Sequence, residues 1–464
     1  MDTSPLQCAI VLQTDAEKPE PARKKEGSLL ELNSIKRSIC EAIDSSAERV
    51  ISLAKDIEME PELGFKEHKT SVKVADFMKG LNLNPMEGLA GTGVKAKLKK
   101  GSSGPNVAVL GELDGIICSD SPKANRETGA SHTCGHHLQI GTLMAAASGF
   151  TKSDVARHLG GNITFFAVPA EEFIEIGERS DMRARGEIGF LGGKQELIRI
   201  GAFDDIDMAM MVHAGTDMPE PSVGIGETGN GFVAKTIRYL GKATHAAAAP
   251  DEGINALNAA VLGINGAHAM RETFRDDDHV RLHFIITKGG DTVNSVPADV
   301  RMEAYVRGKT LKSIDDTHGK FDRALRAGGD AVGAKTEINT IPGYLPLACD
   351  HRLNDIFARN AGSVLPDSKI LRVGHFNAST DMGDICHIMP AIHPYTGGVS
   401  GALHSKDFTV HDYQAAVIVP AKIMAMTIVD LLANGATEGR DLLNGYRPLM
   451  TKQEYLETLQ GYFS

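Results

Sequence analysis

The 464-residue chain has no tryptophan, only 5% aromatic residues and six cysteines. The cysteines, at positions 8, 40, 118, 134, 349 and 386, follow no pairing rhythm. A disulfide framework is therefore not expected in so long a chain, and a reducing cytoplasm is the expected setting. Basic charge is also short: 49 Lys and Arg stand against 60 Asp and Glu, a formal net charge of -11. A nucleic-acid or anionic-membrane partner demands a dense basic face, so neither is expected. No basic start followed by an apolar stretch opens the chain, and no uninterrupted apolar run reaches the roughly 18 residues of a membrane span. Residues 1–27 read as a polar, partly disordered leader.

Against those absences stands an apolar content of 42%, enough for a large core in a chain whose length suggests about three domain-sized units. Helical spacing runs through about 43–57, and a second helix is expected over about 66–80. NVAVLGELDG (106–115), GNITFFAVPA (161–170) and DDIDMAMMVHAG (204–215) are apolar runs bounded by Gly, Pro or Asp, the mark of buried strands. Ile140, Leu143, Met144 and Ala147 keep helical spacing between the first two, and KQELIRIG closes a helix at Gly201. The expectation is an α/β catalytic domain, with a mixed, largely parallel sheet flanked by helices.

From about 230 to 342 the order becomes strand, helix, strand, strand, helix, strand, the βαββαβ pattern of a ferredoxin-like unit, with helices over about 252–274 and 311–334. THAAAAP (244–250) reads as a tight helix entry, and DYQAAVIVPAKIMAMTIVDLLANG (412–435) as a helix on the main sheet. The expected plan is a discontinuous catalytic domain, 28–228 and 345–464, interrupted by an inserted lid or dimerisation domain at 229–344.

Chemistry-bearing residues gather at three strand ends, where open α/β sheets place ligands. Cys134 and His136 stand either side of Gly135, and can face one centre if the glycine bends the chain before a helix starts. Glu171 and Glu172 are adjacent and project in different directions, so one suits metal ligation and the other proton transfer. His213 ends the third strand. Each is weak alone: a CxH is commonly a packed cysteine beside an exposed histidine, and an EE pair a solvated loop. Cys134 as a nucleophile, with His136 or His213 as base, is the second reading, and it leaves the glutamate pair without a role.

HTCGHH, VPAEE, GGKQELIRIGAFDDIDMAMMVHAG, GKATHAAAAPDEGINALNAA, NSVPADV, ASTDMGD and GALHSKDF occur in this order between about residues 35 and 440. Together they resemble the M20 metallopeptidases, specifically the D-type amidohydrolases of the aminobenzoyl-glutamate hydrolase and aminoacylase-1-like-2 branch. The resemblance implies metal ligation by Cys134, His136, Glu172, His213 and His404, with the cysteine bridging two metals. It implies Glu171 as general acid/base, and His245 as the histidine that stabilises the oxyanion, often in the partner subunit's site. Asn294 matches a residue that holds substrate; His375 and His393 flank ASTDMGD and IHP and are candidates to line the site; Asp114 and His137 are expected behind the ligands.

Three departures stand out. His137 replaces the usual Asp or Asn after CGH, Glu112 replaces a histidine ligand found in many relatives, and CSDSPKANRETGAS (118–131) is an extra stretch that could form a loop at the site mouth. The resulting expectation is a metal-dependent amidohydrolase that cleaves the C–N bond of a small carboxylate-bearing substrate, such as an N-acyl or aminobenzoyl amino acid or a dipeptide. One or two divalent ions are implied, zinc first by the softness of the thiolate and manganese second. A homodimer through the inserted domain is implied by the resemblance. The alternatives are hydrolytic deamination of an aromatic amine such as a substituted aminobenzoate, and a catalytically silent metal-binding relative.

Overall fold

The computed structural model describes residues 20–98, 104–216, 218–219 and 221–463, with the backbone alone for 20–30. The expected leader lies outside the described residues as far as 19, and its end forms the start of the helix Glu20–Asp44.

A six-stranded sheet runs, from edge to edge, Met86–Leu89, Gly93–Leu98, Asn162–Val168, Asn106–Glu112, Met208–Met210 and Ala391–Ile392. The last four are parallel, while the two at the first edge pair antiparallel. Successive side chains alternate between faces. Val107 and Val109 meet Ile39, Val50, Leu143 and Met424 from the helices of one layer, while Ala108 and Leu110 meet Leu197, Ile198, Met382 and Ile385 on the other. With both faces covered, these strands read in the sequence as near-continuous apolar runs.

The closing helix opens with a π turn at Gln414–Ile418 and continues as Val419–Gly445, interrupted by non-helical backbone from Ala433 to Ala436. The interruption falls where the sequence expectation ended, at Gly435. This helix is long and apolar enough to cross a membrane, but 89% of its apolar window is buried inside the protein.

Between residues 231 and 342 a second sheet forms, ordered Arg281–Lys288, Asp299–Gly308, Gly231–Leu240 and Lys335–Pro342, with every neighbouring pair antiparallel. Helices Ala256–Ala269 and Leu311–Val332 cover one face around a core of Tyr239, Ala260, Val300, Met302, Phe321 and Leu325. In Asp299–Gly308, Val300, Met302, Ala304 and Val306 point into that core. Asp299, Arg301, Glu303, Tyr305 and Arg307 therefore face the other way. THAAAAP does not enter a helix directly. It turns into a short 3-10 segment, Pro250–Glu252, and the helix starts at Ala256, where the Asn255 side chain accepts from the Leu257 and Asn258 N–H groups. An alanine run offers no such cap.

Candidate metal centre

Four chain segments converge beyond the sheet's strand ends, three of them through backbone in the left-handed region. Gly135, φ +88°, caps the N-terminus of helix His136–Lys152 and lets Cys134 and His136 face the same space. A Cβ there would lie 3.0 Å from the Ala214 side chain, so glycine also allows a close approach. Ala170, φ +50°, follows Asn162–Val168 and delivers Glu171 and Glu172. His404, φ +60°, sits on a late loop tied to the cysteine segment by its own N–H, which donates to the Thr133 carbonyl at 3.0 Å. Such conformations cost energy in residues with a Cβ and gather at functional sites. His213 begins the short strand His213–Ala214, which leaves the main sheet to pair with Tyr395–Thr396.

The side chains form two triads that share one sulfur. Cys134, His136 and His213 offer three ligand atoms within 4.8 Å of one another, and so do Cys134, Glu172 and His404. Cys134 Sγ lies 3.4 Å from His213 Nε2 and 3.2 Å from His404 Nε2, and His404 Nε2 lies 3.1 Å from Glu172 Oε1. All but His404 are buried. His136 Nε2 and Glu172 Oε1 approach neighbouring groups closely yet have no aligned hydrogen bond. Buried polar atoms in native structures normally have a partner. Imidazole, thiolate and carboxylate donors in this number fit divalent ions of the zinc type.

Asp114 lies behind both triads. Its carbonyl oxygen is 2.9 Å from His136 Nδ1, and its Oδ2 accepts from the Glu172 N–H at 2.9 Å. A carboxylate residue behind a ligand histidine fixes the ring and its tautomer. Glu112 Oε2 is 3.0 Å from His136 Nε2, but its carboxylate is held by Lys194 at 2.6 Å and by the Gln139 amide at 2.7 Å. Lys194 also donates to Asp381 at 2.5 Å. It is a fully buried ammonium shared by two buried carboxylates.

These charges set the acidities. Burial and the Glu172 carboxylate push the Cys134 thiol up, but the imidazoles of His136 and His213 outweigh them and bring it down to about 6. Burial raises Glu172, yet His404 and His136 hold it down at about 2. Glu171 goes the other way: burial first, then repulsion from Glu112, Glu172 and Asp381, raises its carboxyl well above the ordinary range. Its Oε2 lies 3.9 Å from His136 Nε2. The two adjacent glutamates thus have opposite proton affinities.

Other expected residues lie elsewhere. His137 is fully buried, but it faces away from the triads: its ring lies 5.4 Å from that of His132, 6.5 Å from that of Tyr413, and 3.9 Å from Glu58. The extra stretch 118–131 closes at its base through Ile116–Ile117 and Ala130–Ser131, and its Lys123 pairs with the same Glu58 at 2.6 Å. His375 is held by Thr228 and Asn230 at 3.0 and 2.9 Å and packs against the His279 ring, tilted at 47° to it. His393 packs edge-on against the His213 ring at 5.7 Å. His245 and Asn294 are exposed neighbours in the second sheet's loops, joined through the Ala246 N–H and the Asn294 carbonyl, and make none of the contacts that join the triads.

Two residues that the sequence motifs did not single out border the site. One is Lys194, carried by GGKQELI. The other is Arg307, whose guanidinium stacks on Phe232 and Tyr305, donates to Ser379 at 2.7 Å, and lies in the field of Glu171 and Glu172. Its only sequence signal is a charge at an alternating position of ADVRMEAYVRG.

The family model of peptidase family M20/M25/M40 matches residues 110–426. The chain is 29% identical to the Xaa-Arg dipeptidase of Mus musculus over 449 residues, 92% of this chain and 94% of that protein. It is 26% identical to one of the subunits of the Escherichia coli p-aminobenzoyl-glutamate hydrolase over 317 residues, 66% of this chain and 60% of that protein. Its fold is similar to that of a dinuclear metal-binding peptidase of the M20 family from Bacillus subtilis, with TM-score 0.63 and 20% identity, covering 84% of this chain and 99% of that one.

Proposed function

The chain belongs to peptidase family M20/M25/M40 and is a metal-dependent hydrolase of carbon–nitrogen bonds, and from that premise we propose that it cleaves the amide of a small carboxylate-bearing substrate, an N-acyl or aminobenzoyl amino acid or a dipeptide. The pair of triads sharing Cys134 carries this reading. Cys134, His136 and His213 would hold one divalent ion, and Cys134, Glu172 and His404 a second, with zinc favoured by the thiolate. Such ions supply Lewis acidity toward an amide carbonyl and toward water at neutral pH.

Glu171 performs the proton transfers. In the site as it stands, burial first, and then repulsion from Glu112 and Glu172, keep a proton on its carboxyl. With the Glu172 charge matched by a bound cation that part of the repulsion would fall, and Glu171 could accept a proton from the attacking water and return it to the leaving nitrogen. Arg307 presents a half-buried positive charge in the field of the glutamates and suits the substrate carboxylate.

His245 Nδ1 accepts from the N–H groups of Ala247 and Ala248, which leaves the ring proton on Nε2, free to donate to an oxyanion. Because His245 and Asn294 make none of the contacts that join the triads of their own chain, a second copy would bring them to this role. The exposed Ile285 and Ile286 of the edge strand and Val261 and Leu262 of the neighbouring helix supply the apolar surface for a homodimer through the inserted unit.

The test is a panel of N-acyl amino acids, dipeptides and aminobenzoates with purified, metal-loaded protein. Hydrolysis of an amide, lost in Glu171→Gln, is expected. Release of ammonia from an aromatic amine, with no amide cleaved, would replace this reading with deamination.

A further inference from the structure

The turn that delivers Cys134 and His136 to the triads carries a second pair of histidines, one on each flank. His132 and His137 are 3% and 0% exposed, and none of their four ring nitrogens has a hydrogen-bond partner among the described residues. Buried polar atoms are costly to leave unmatched, and native structures normally give each a partner.

The two rings lie 5.4 Å apart between centroids. His136 and His213, the pair assigned to one ion of the metal centre, are 5.8 Å apart by the same measure. Glu58, at the end of helix Ala47–Glu58, brings a carboxylate to the histidines: its Oε1 lies 3.9 Å from His137 Nε2. Its Oε2 accepts from the Tyr413 hydroxyl at 2.9 Å, and its side chain is only 9% exposed. Two imidazoles and a carboxylate suit a divalent ion of the zinc type, here without the sulfur that the triads share.

A cation already stands at this carboxylate. Lys123 Nζ lies 2.6 Å from Glu58 Oε1, the oxygen nearest His137. Lys123 belongs to the extra stretch 118–131, and its side chain is 43% exposed, so it can leave Glu58 for water at small cost. The ammonium serves Glu58 and leaves the imidazole nitrogens unmatched. A divalent ion would serve all three side chains at once.

We propose that His132, His137 and Glu58 form an auxiliary site for a divalent transition-metal ion, distinct from the two triads, in which the ion replaces Lys123 on Glu58. Filling it releases the stretch 118–131 from its tie to the helix Ala47–Glu58. The inference concerns binding alone and does not depend on the substrate or on turnover.

The experiment is a cobalt titration of metal-free protein, read by elemental analysis after gel filtration and by absorption. Wild type should take up three equivalents. His137→Asn and Glu58→Gln should each take up two, with the thiolate-to-cobalt charge-transfer band of Cys134 at wild-type strength, which shows that the fold and the triads are intact. Lys123→Met, which removes the competing cation, should bind the third ion about tenfold more tightly. Acetylation of Lys123 by an amine-reactive reagent, read by mass spectrometry, should rise with the third equivalent in wild type and not in His137→Asn. Uptake of only two equivalents by wild type and by Lys123→Met, with water alone serving the buried nitrogens, overturns the proposal. So does a third equivalent that persists in both His137→Asn and Glu58→Gln. If those two variants also lose the charge-transfer band, Lys123→Met decides: tighter uptake of the third ion sustains the site, and unchanged uptake overturns it.

Discussion

The Sγ of Cys134 lies 3.2 Å from Nε2 of His404, although the two residues are 270 positions apart in the chain. The same sulfur faces His213, so the cysteine belongs to both triads. Cys134→Ser replaces a thiolate by a much weaker ligand at the shared position. Metal retention after dialysis, measured by elemental analysis, should fall by more than tenfold for both ions rather than for one. Two equivalents retained in the variant would separate the sulfur from the site.

Chelation should abolish hydrolysis in wild type, and zinc or manganese should restore it. Cysteine catalysis predicts the opposite dependence, with loss of activity on thiol alkylation that chelators do not reproduce. Activity that persists in metal-free protein would favour that mechanism.

Glu171→Gln keeps the shape of the side chain and removes its proton traffic. A loss in kcat of about 10²- to 10⁴-fold is expected with metal content unchanged. Wild-type turnover in this variant would withdraw the acid/base role.

Lys194 sits between the carboxylates of Glu112 and Asp381, all three buried. Lys194→Met leaves two buried negative charges without their cation, and urea unfolding should show a loss of about 3–5 kcal/mol. Adding Glu112→Gln and Asp381→Asn should recover part of it, since the cost comes from unpaired charge and not from packing. A loss that the added substitutions do not reduce would point to packing.

Glu67 gives a pH dependence. Burial, then the Asp114 charge, pushes its carboxyl up from the ordinary value near 4.5 to about 7. Between these values the folded chain holds a proton that the unfolded chain releases, so this group's contribution is complete below about 4.5 and is lost as pH rises through about 7. Over that interval wild type should lose on the order of a few kcal/mol that Glu67→Gln does not lose. Parallel stability profiles for the two proteins would contradict the shift.

The strands and the residues that gather in the two triads were legible because their causes are local. Strands buried on both faces must be apolar throughout, as NITFFAV is, and Gly135 between Cys134 and His136 marks the bend both side chains need. Helix geometry could also have placed His137 correctly. His136 opens the helix, and the next residue is turned by about 100° from it, so His137 points away from whatever His136 faces. The ordering of His375 and His393 was not legible: both flank promising motifs, and only the pairing of Tyr395–Thr396 with His213–Ala214 brings the second ring against His213.

By itself the sequence determined the α/β alternation, the βαββαβ insertion and the residues able to bind metal, because periodicity, turn chemistry and side-chain type act over a few residues. Only the tertiary structure decided which charges meet. Lys194 is shared by Glu112 and Asp381, which come from other segments, Arg307 lies in the field of Glu171 and Glu172, and Glu303 has no counter-charge among the described residues. An electrostatic interaction depends on distance and burial after folding, and segments hundreds of residues apart carry no local mark of the partner that packing will give them.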